Sequence, residues 1–321
     1  TGTVTEHLFV FAQVDYNAPL GTGSQNSVQM RDFYGDISID DDKEHRFRVG
    51  VSKVPFGFTN MQSSQNRIAL ERADGINSAF EELRDTGVFY YWAPKETREL
   101  YAKLVKDGLR GSGDYGVFGF GAFAGQGPNR SDQNGQVHWV ARAAYPFHVF
   151  DEQVMELGVQ AYTGHYVATV APIGTVTPTQ PSKGVRDERA GVTAVWYPQP
   201  FGVEAEWNWG HGPELRDDFS TIEKRYLQGG HVQASWIESG STGTWVPYAR
   251  WNFYDGGRKN ARNTPGERVD EIDVGTEWSL WPEVELTVQY THTFVRTNTN
   301  VAPYQEAHGD DRIGFQVQIN F

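Results

Sequence analysis

The spacing of its β-type segments is the feature of this sequence that most constrains the fold. Stretches in which apolar and polar residues alternate are separated by connections that are short and long in turn. The short connections lie at 40–42, 198–200, 238–242 and 281–282, and the long ones lie at 18–27, 56–83, 125–135, 167–186, 211–228, 255–268 and 296–310. Up-and-down membrane barrels have tight turns at one end and long loops at the other, whereas Greek-key sandwiches lack this regularity. The spacing therefore predicts an all-β fold, a transmembrane antiparallel up-and-down β-barrel.

Period-two alternation defines the individual strands of this barrel. In 284–290, Val, Leu and Tyr residues alternate with Glu285, Thr287 and Gln289, which is the pattern of a strand with one apolar and one polar face. The segment 312–321 repeats it and stops on the aromatic residue Phe321. About fourteen strands are predicted, at 5–17, 28–39, 43–55, 84–92, 114–124, 136–146, 152–166, 187–197, 201–210, 229–238, 243–254, 269–280, 283–295 and 311–321.

The composition agrees with a membrane barrel. Hydrophobic residues make up 38% of the chain, and no run approaches the roughly 20 apolar residues that a membrane helix needs. Aromatic residues reach 14%, including 10 Trp, and membrane barrels place such residues in belts at both interfaces. A soluble, Trp-rich carbohydrate-binding β-protein is the alternative that the same composition allows.

Charge and missing motifs exclude several function classes. The net charge of −13 argues against nucleic acid as a partner, because phosphate binding needs a basic face. The chain has no cysteine, which excludes disulfides and thiolate metal sites. It contains no His-Glu-x-x-His or Gly-x-Ser-x-Gly motif, so we expect no enzyme, no metal and no cofactor. Because Thr1 is not followed by a signal-type segment, we expect that an export signal has been removed.

One connection departs from the alternation of short and long. The segment 94–111 should be a short turn, yet Leu100, Leu104 and Val105 recur at helical spacing after Pro94. We predict a short periplasmic helix here, with an extra strand as the alternative.

Three stretches resemble the phosphate-selective porin O and P family. They are 47–57, a strand ending in Lys-Val-Pro-Phe-Gly and leading into 63–72; 250–259 with the following strand; and the terminal strand. The resemblance covers most of the chain. It implies a homotrimeric barrel of sixteen strands in the bacterial outer membrane, in contact with lipid and lipopolysaccharide, through which small hydrophilic solutes diffuse. Gly2–Phe11 matches the turn after the family's second strand, so the family's first strands would precede residue 1. A barrel that closes with fourteen strands is the alternative.

The connection 56–83 is the predicted constriction loop within a single barrel domain, 1–321. It carries Arg67, Glu71, Arg72 and Asp74, and the family resemblance implies that it folds into the pore. Without the resemblance, an external loop with solvated charges would be the simpler interpretation.

Alternation also turns charged residues of both signs towards the lumen. The basic ones are Arg46, Arg48, Arg142, Arg189 and Arg250. The acidic ones include Glu204, Glu206, Asp273 and Glu277. Family members use arginine ladders for phosphate, so these residues predict an anion track, with phosphate as one candidate solute. Two observations weigh against phosphate selectivity: the lining is mixed, and Gln65 stands where the family's phosphate members place a Lys. The alternation along the predicted strand 43–55 indicates that the side chain of Lys53 points outward.

Overall fold

One antiparallel sheet accounts for most of the molecule. The computed structural model describes residues 2–17, 27–79, 84–128, 130–150, 152–281, 283–298 and 305–320. The strands are β1 (Gly2–Thr5), β2 (Leu8–Asn17), β3 (Ser27–Ser38), β4 (His45–Lys53), β5 (Arg84–Trp92), β6 (Phe118–Phe123), β7 (His138–His148), β8 (Val154–Tyr166), β9 (Val185–Trp196), β10 (Phe201–Leu215), β11 (Ile222–Trp236), β12 (Glu238–Gly240), β13 (Gly243–Gly257), β14 (Gly266–Trp281), β15 (Val284–Asn298) and β16 (Gln305–Ile319). In the described parts of the chain, three helices interrupt them: α1 (Phe58–Met61), α2 (Asp74–Asn77) and α3 (Lys95–Lys106).

The strands pair in sequence order, which confirms the up-and-down architecture. Each long strand is hydrogen-bonded to the next one along the chain, from β2 to β16, and β1 pairs with β2. Fourteen of the sixteen strands correspond to the fourteen predicted ones. The other two are short: β1 has four residues, and β12 continues the path of β11 against β13 after a break at Ile237.

The faces of the strands follow the predicted alternation. In β16, Ile313, Phe315 and Val317 point outward, and Phe315 is 76% exposed. In β13 and β14, Arg250 and Asp273 point inward and are 3% and 0% exposed. Phe321 lies outside the described residues. The outer face is therefore apolar and the inner face polar, as a barrel in lipid requires.

Aromatic side chains on the outer face form two belts. At the end with the short turns, Trp245 stacks on Trp278 with ring centroids 5.1 Å apart. At the end with the long loops, Trp207 stacks on Trp251 and Phe253. Between the belts the outer face is lined by residues such as Val274. The described helices are all too short or too polar to cross a membrane.

The strands extend further at the long-loop end than the sequence predicts. The connection predicted at 211–228 spans only 216–221, and the one predicted at 255–268 spans only 258–265. Both predictions were wrong because the hydrogen-bond ladder continues above the apolar band. There, pairs such as Glu214 and Glu223 keep the strand register, while Leu215 and Ile222 are buried in a cluster with Ile173, so the alternation typical of a lipid-facing strand does not mark these residues.

The first predicted strand, 5–17, also differs from the structure. The chain makes a hairpin, in which β1 and β2 are joined at Glu6 and His7. The hydroxyl of Thr5 accepts hydrogen bonds from the backbone N–H groups of His7 (3.3 Å) and Leu8 (3.1 Å). This local turn starts β2 three residues later than predicted.

Helix α3 lies within the connection predicted to be helical, 94–111. Its first N–H, at Lys95, donates to the carboxylate of Glu44 (2.9 Å) in the short turn between β3 and β4. The buried Tyr101 hydroxyl donates to the carbonyl of Ala144 (3.2 Å) at the inner face of β7. No strand occurs among the described residues between β5 and β6. The helix therefore packs across the end of the barrel that carries the short turns.

Candidate pore and constriction loop

The segment between β4 and β5 turns into the barrel interior. It starts on β10, where the buried Glu206 carboxylate accepts hydrogen bonds from the backbone N–H groups of Phe58 (3.1 Å) and Thr59 (3.2 Å). These N–H groups belong to the first turn of α1 and have no partner within the helix. A carboxylate on the barrel wall therefore fixes the start of the loop.

The middle of the loop lies against β9, β10 and β11. The Asn208 amide donates to the carbonyl of Gly75 in α2 (2.8 Å). The Arg189 guanidinium donates to both the hydroxyl (2.9 Å) and the carbonyl (3.0 Å) of Ser78. Arg189, predicted to line an anion track, thus holds the loop to the wall.

The remaining part of the loop reaches β13, β15 and β16. Arg250 donates to the carbonyl of Glu71 (2.6 Å), and Gln289 accepts from the N–H of Leu70 (2.9 Å). Arg312 on β16 pairs with the Glu71 carboxylate at 3.1 Å. The loop thus spans the interior from β4 to β16. Residues 80–83 of the predicted loop lie outside the described residues.

A packed apolar cluster fills the space between the loop and β5 to β8. From the loop side it contains Val54, Phe56 and Ile76, all fully buried. The wall contributes Phe89, Tyr91, Phe123, Val140 and Tyr162. Such packing leaves no room for water, so any aqueous passage must lie on the other side of the loop.

The wall arginines are paired with carboxylates on neighbouring elements. Arg48 makes two hydrogen bonds, of 2.7 and 2.8 Å, to Asp36, which is its direct partner across β3 and β4. Arg250 and Asp273 are likewise opposite each other, at 2.6 Å. The other pairs are Arg46 with Asp114 (2.6 Å), Arg142 with Glu156 (3.3 Å), and Arg110 with Glu277 (2.6 Å). Most of the predicted anion track is therefore neutralised by bonded carboxylates.

Glu204 and Glu206 are covered by the loop instead of facing open water. Glu204 accepts hydrogen bonds from the Thr59 hydroxyl (2.9 Å) and lies 2.9 Å from the His231 ring nitrogen. His231, which is 1% exposed, belongs to no motif that the sequence reveals. These groups form a buried polar network that supports α1.

The loop cations Arg67 and Arg72 differ from the wall arginines because neither pairs with a carboxylate among the described residues. Arg67 donates to the carbonyls of Ala69 and Leu70, both at 2.9 Å. Within the described parts of the chain, Arg72 forms neither a hydrogen bond nor an ion pair. Burial, followed by the like charge of Arg250, lowers the pKa of Arg67 to about 10.

Arg72 stands among other cations. Burial lowers its pKa to about 9, and the like charges of Arg67, Arg84 and Arg31 add to this effect. Arg84 and Arg31 are paired with Asp32 and Asp15, and the Lys53 ammonium lies in the same group. We call Arg31, Lys53, Arg67, Arg72 and Arg84 the arginine cluster.

The acidic loop residues are bonded to side chains of the barrel wall. The Asp74 N–H donates to the Asn252 amide oxygen (3.2 Å), and the Asn252 amide donates to the Asp74 carboxylate (3.1 Å). Burial raises the pKa of Asp74. Glu71 is exposed and paired with Arg312. The loop thus carries basic and acidic side chains close together, since Arg72 and Asp74 line the same cavity.

Cavities lie at both ends of the barrel interior. One of about 340 Å³ at the long-loop end is lined by Arg31, Arg72, Asp74, Lys259 and Glu267. One of about 360 Å³ at the short-turn end is lined by residues including Asp36, Arg46, Arg98 and Asp114. Both are polar, as the two mouths of a water-filled passage would be.

Lys53 corrects a prediction from the sequence. Its side chain is 7% exposed and turns inward, where it donates to the carbonyl of Met61 (3.2 Å) and to that of Gln62. It is the last residue of β4, and the loop that follows folds back over it, so strand phase does not decide its direction. The motif that contains it therefore marks the point where the chain enters the barrel.

Among the described residues, no three His, Asp or Glu side chains are grouped to hold a metal ion. An up-and-down sheet with a lipid-type outer face, a polar inner face and a loop folded across the interior defines an outer-membrane porin. The chain belongs to the phosphate-selective porin O and P family, whose family model matches residues 1–321.

Solved porin structures share this fold. OmpF of Salmonella typhi, solved in complex with daunomycin, is 15% identical, with a TM-score of 0.61 over 98% of this chain and 86% of that one. The outer-membrane channel DcaP of Acinetobacter baumannii is 14% identical, with a TM-score of 0.56 over 98% and 80%. OmpT of Vibrio cholerae in its trimer form is 11% identical, with a TM-score of 0.52 over 99% and 87%. Curated protein sequences gave no match.

The protein is therefore a porin of the bacterial outer membrane that lets small hydrophilic solutes diffuse passively. This conclusion excludes the soluble carbohydrate-binding alternative. The Trp residues that suggested it, such as Trp245 and Trp278, stack on the outer face, where aromatic belts meet the membrane interface.

Proposed function

We propose that this porin prefers small anions, and that the arginine cluster at the constriction loop sets the preference. The proposal rests on the surroundings of Arg72. This cation has no bonded carboxylate in the described structure, and other cations lie near it. A bound or passing anion relieves that repulsion, whereas a cation increases it.

The wall arginines have a different role in this proposal. Arg46, Arg48, Arg142 and Arg250 are neutralised by their partners, so they fix the shape of the lumen and contribute little field of their own. Arg189, Glu204 and Glu206 hold the loop in place, and Asp273 and Glu277 hold Arg250 and Arg110.

The loop charges differ in their pairing. Arg67 and Arg72 have no bonded carboxylate in the described structure, whereas Asp74 is bonded to Asn252 and Glu71 is paired with Arg312. Fixed charges at this range act over about 10 Å at 0.1 M salt, so a narrow lumen is fully within their reach. The preference should therefore weaken at high ionic strength.

Phosphate is the first anion to test, because the chain belongs to a family described as phosphate-selective. Gln65 favours permeation over tight binding. It stands where the family's phosphate members place a Lys, and its amide donates to Asn320 (2.8 Å). With an uncharged residue at this position, the channel should bind phosphate less tightly, so phosphate should block the ion current less.

Two assembly properties complete the proposal. We propose a homotrimer, supported by the family resemblance and by the trimer form of the OmpT neighbour. We also propose that lipid and lipopolysaccharide contact the outer face, which carries apolar side chains and two aromatic belts.

The test is the reversal potential in a planar bilayer under a salt gradient, for wild type and for Arg67→Gln/Arg72→Gln. We expect the double variant to lose most of the anion preference. Arg268→Gln is the matched control, because Arg268 points outward on β14 and is half exposed. An unchanged reversal potential in the double variant would reject the cluster as the source of selectivity.

A further inference from the structure

The outer face of β7 to β10 carries small residues where neighbouring strands carry large ones. Ala143, Ala194 and Ala205 line a groove of about 600 Å³ in the half near the short turns, with Leu157 and Trp207 at its sides. Ala141, Ala161 and Ala190 line a second groove of about 490 Å³ nearer the long loops, between Trp139 and Trp209. On β7 and β9, the alanines of one set follow those of the other along the strand, so the grooves lie end to end across the apolar band.

The groove near the long loops ends at a charged cluster. Glu188 lines it, and the Glu188 carboxylate pairs with Arg186 and Lys224, each at 2.5 Å. Arg186 is 53% exposed and Lys224 is 40% exposed. Two cations share one carboxylate, so the cluster retains one positive charge and unused N–H donors.

The depth of this cluster matches a lipid headgroup. Tyr226 and His211, which pack edge to face at the aromatic belt, line the same groove. Arg186 and Lys224 lie further towards the long loops: Lys224 is two residues from Tyr226 along β11, and Arg186 is two residues from Glu188, the β9 partner of His211. Aromatic belts lie at headgroup level, so the cations reach the layer where outer-leaflet phosphates lie.

We infer that these grooves form a binding site for an anionic, phosphorylated glycolipid of the outer leaflet. One acyl chain lies along the alanine-lined grooves, and a headgroup phosphate binds between Arg186 and Lys224. Phosphate oxygens accept charge-assisted hydrogen bonds from both cations, and the grooves bury the chain against aromatic and methyl groups. The inference rests on the outer-membrane assignment and is independent of the proposed anion preference.

Charge complementarity favours a lipid over a second copy of the chain. A second copy on this face would have to cover two exposed cations. At the same rim the chain offers further outward cations, Arg268 and Arg296, which lie directly opposite each other on β14 and β15. A phosphorylated headgroup, by contrast, supplies the missing negative charge.

The test is native mass spectrometry of the full chain in detergent with added bisphosphorylated, hexa-acylated lipid A. We expect wild type to retain it and Arg186→Glu/Lys224→Glu to bind it at least ten-fold more weakly. Lys103→Glu/Lys106→Glu, on exposed α3 residues at the opposite end, is the control with the same charge change. Arg186→Gln/Lys224→Gln should show an intermediate loss, which covers the case that the charge reversal prevents folding.

Three further arms separate the sources of binding. Lipid A without its phosphates should bind wild type as weakly as lipid A binds the double Glu variant, and Ala161→Trp/Ala190→Trp should weaken both lipids. Inorganic phosphate should not displace lipid A, because it lacks the chain. Equal loss in the α3 control, or equal binding of the dephosphorylated lipid, would overturn the site. The site would also be overturned if Ala161→Trp/Ala190→Trp changed the mass of the oligomer while lipid binding persisted. This face would then be a subunit interface. Ion preference should stay unchanged in all variants.

Discussion

Gly75 in α2 lies directly against Gly230 of β11: a Cβ on Gly75 would stand 2.4 Å from the Gly230 amide nitrogen and 2.5 Å from the Gly229 carbonyl carbon. Two backbones meet here without side chains between them. The loop can therefore lie flat on the wall only while this position remains a glycine.

Gly75→Ala should displace the loop and raise the single-channel conductance. Alanine normally favours a helix over glycine by about 1 kcal/mol, so stabilisation would be expected if local conformation decided the outcome. The steric contact predicts the opposite, namely a lower unfolding temperature in detergent. Gly240→Ala is the control, because a Cβ there meets nothing within 4 Å. Equal behaviour of the two variants would contradict this close packing.

Glu206→Ala should release the start of the loop. It removes the acceptor of two buried N–H groups, those of Phe58 and Thr59, and hydrogen bonds to a charged group contribute about 1.5–3 kcal/mol each. We expect noisy, larger conductance steps in bilayer recordings and a lower unfolding temperature. Glu238→Ala, on the exposed β12, should change neither quantity. If Glu206→Ala gave the same low-noise conductance steps as the wild type, the loop would have to be held by other contacts.

The Arg48–Asp36 pair should be structural. Asp36→Asn leaves a buried guanidinium without its charge partner, and breaking such a pair costs about 3–5 kcal/mol. Urea unfolding in lipid vesicles should show this loss, and Asp36→Leu/Arg48→Met should recover most of it. Ion preference in the double variant should remain close to wild type. A large change in ion preference would return Arg48 to the selectivity filter.

Anion preference should fall as the pH rises from about 8 to 10. The pKa of Arg72 is lowered to about 9 and that of Arg67 to about 10, so Arg72 is charged below about pH 9 and loses its proton above it. Reversal potentials measured across this range should move towards the cation side. In Arg72→Gln the first part of this change should be absent. A flat wild-type profile to pH 10 would mean that Arg72 keeps its charge.

The sequence predicts the parts of this fold that touch lipid. In β16, Ile313, Phe315 and Val317 are apolar because they face lipid. The alternation there therefore shows both that the segment is a strand and which side chains point outward. Above the apolar band, β10 and β11 no longer face lipid, and Leu215 and Ile222 are buried in a separate apolar cluster; the same signal therefore disappears and the predicted loops are too long.

The interior is less predictable, because charge partners depend on register and on the path of the loop. The alternation correctly predicts that Arg48 and Arg250 point inward, but it does not show that Asp36 and Asp273 lie opposite them. Arg31 was missed for a further reason. The register between β2 and β3 shifts at Gln13 and Val14, so residues Met30 to Asp32 do not follow simple alternation.

The sign of the reversal potential of the wild-type protein tests the central claim most directly. Purified protein in a planar bilayer would be measured at neutral pH under a potassium chloride gradient, then with phosphate replacing chloride. The arginine cluster at the loop predicts an anion-side potential that persists with phosphate and declines as the mean salt concentration rises. A cation-side potential, or one near zero at low salt, would contradict it.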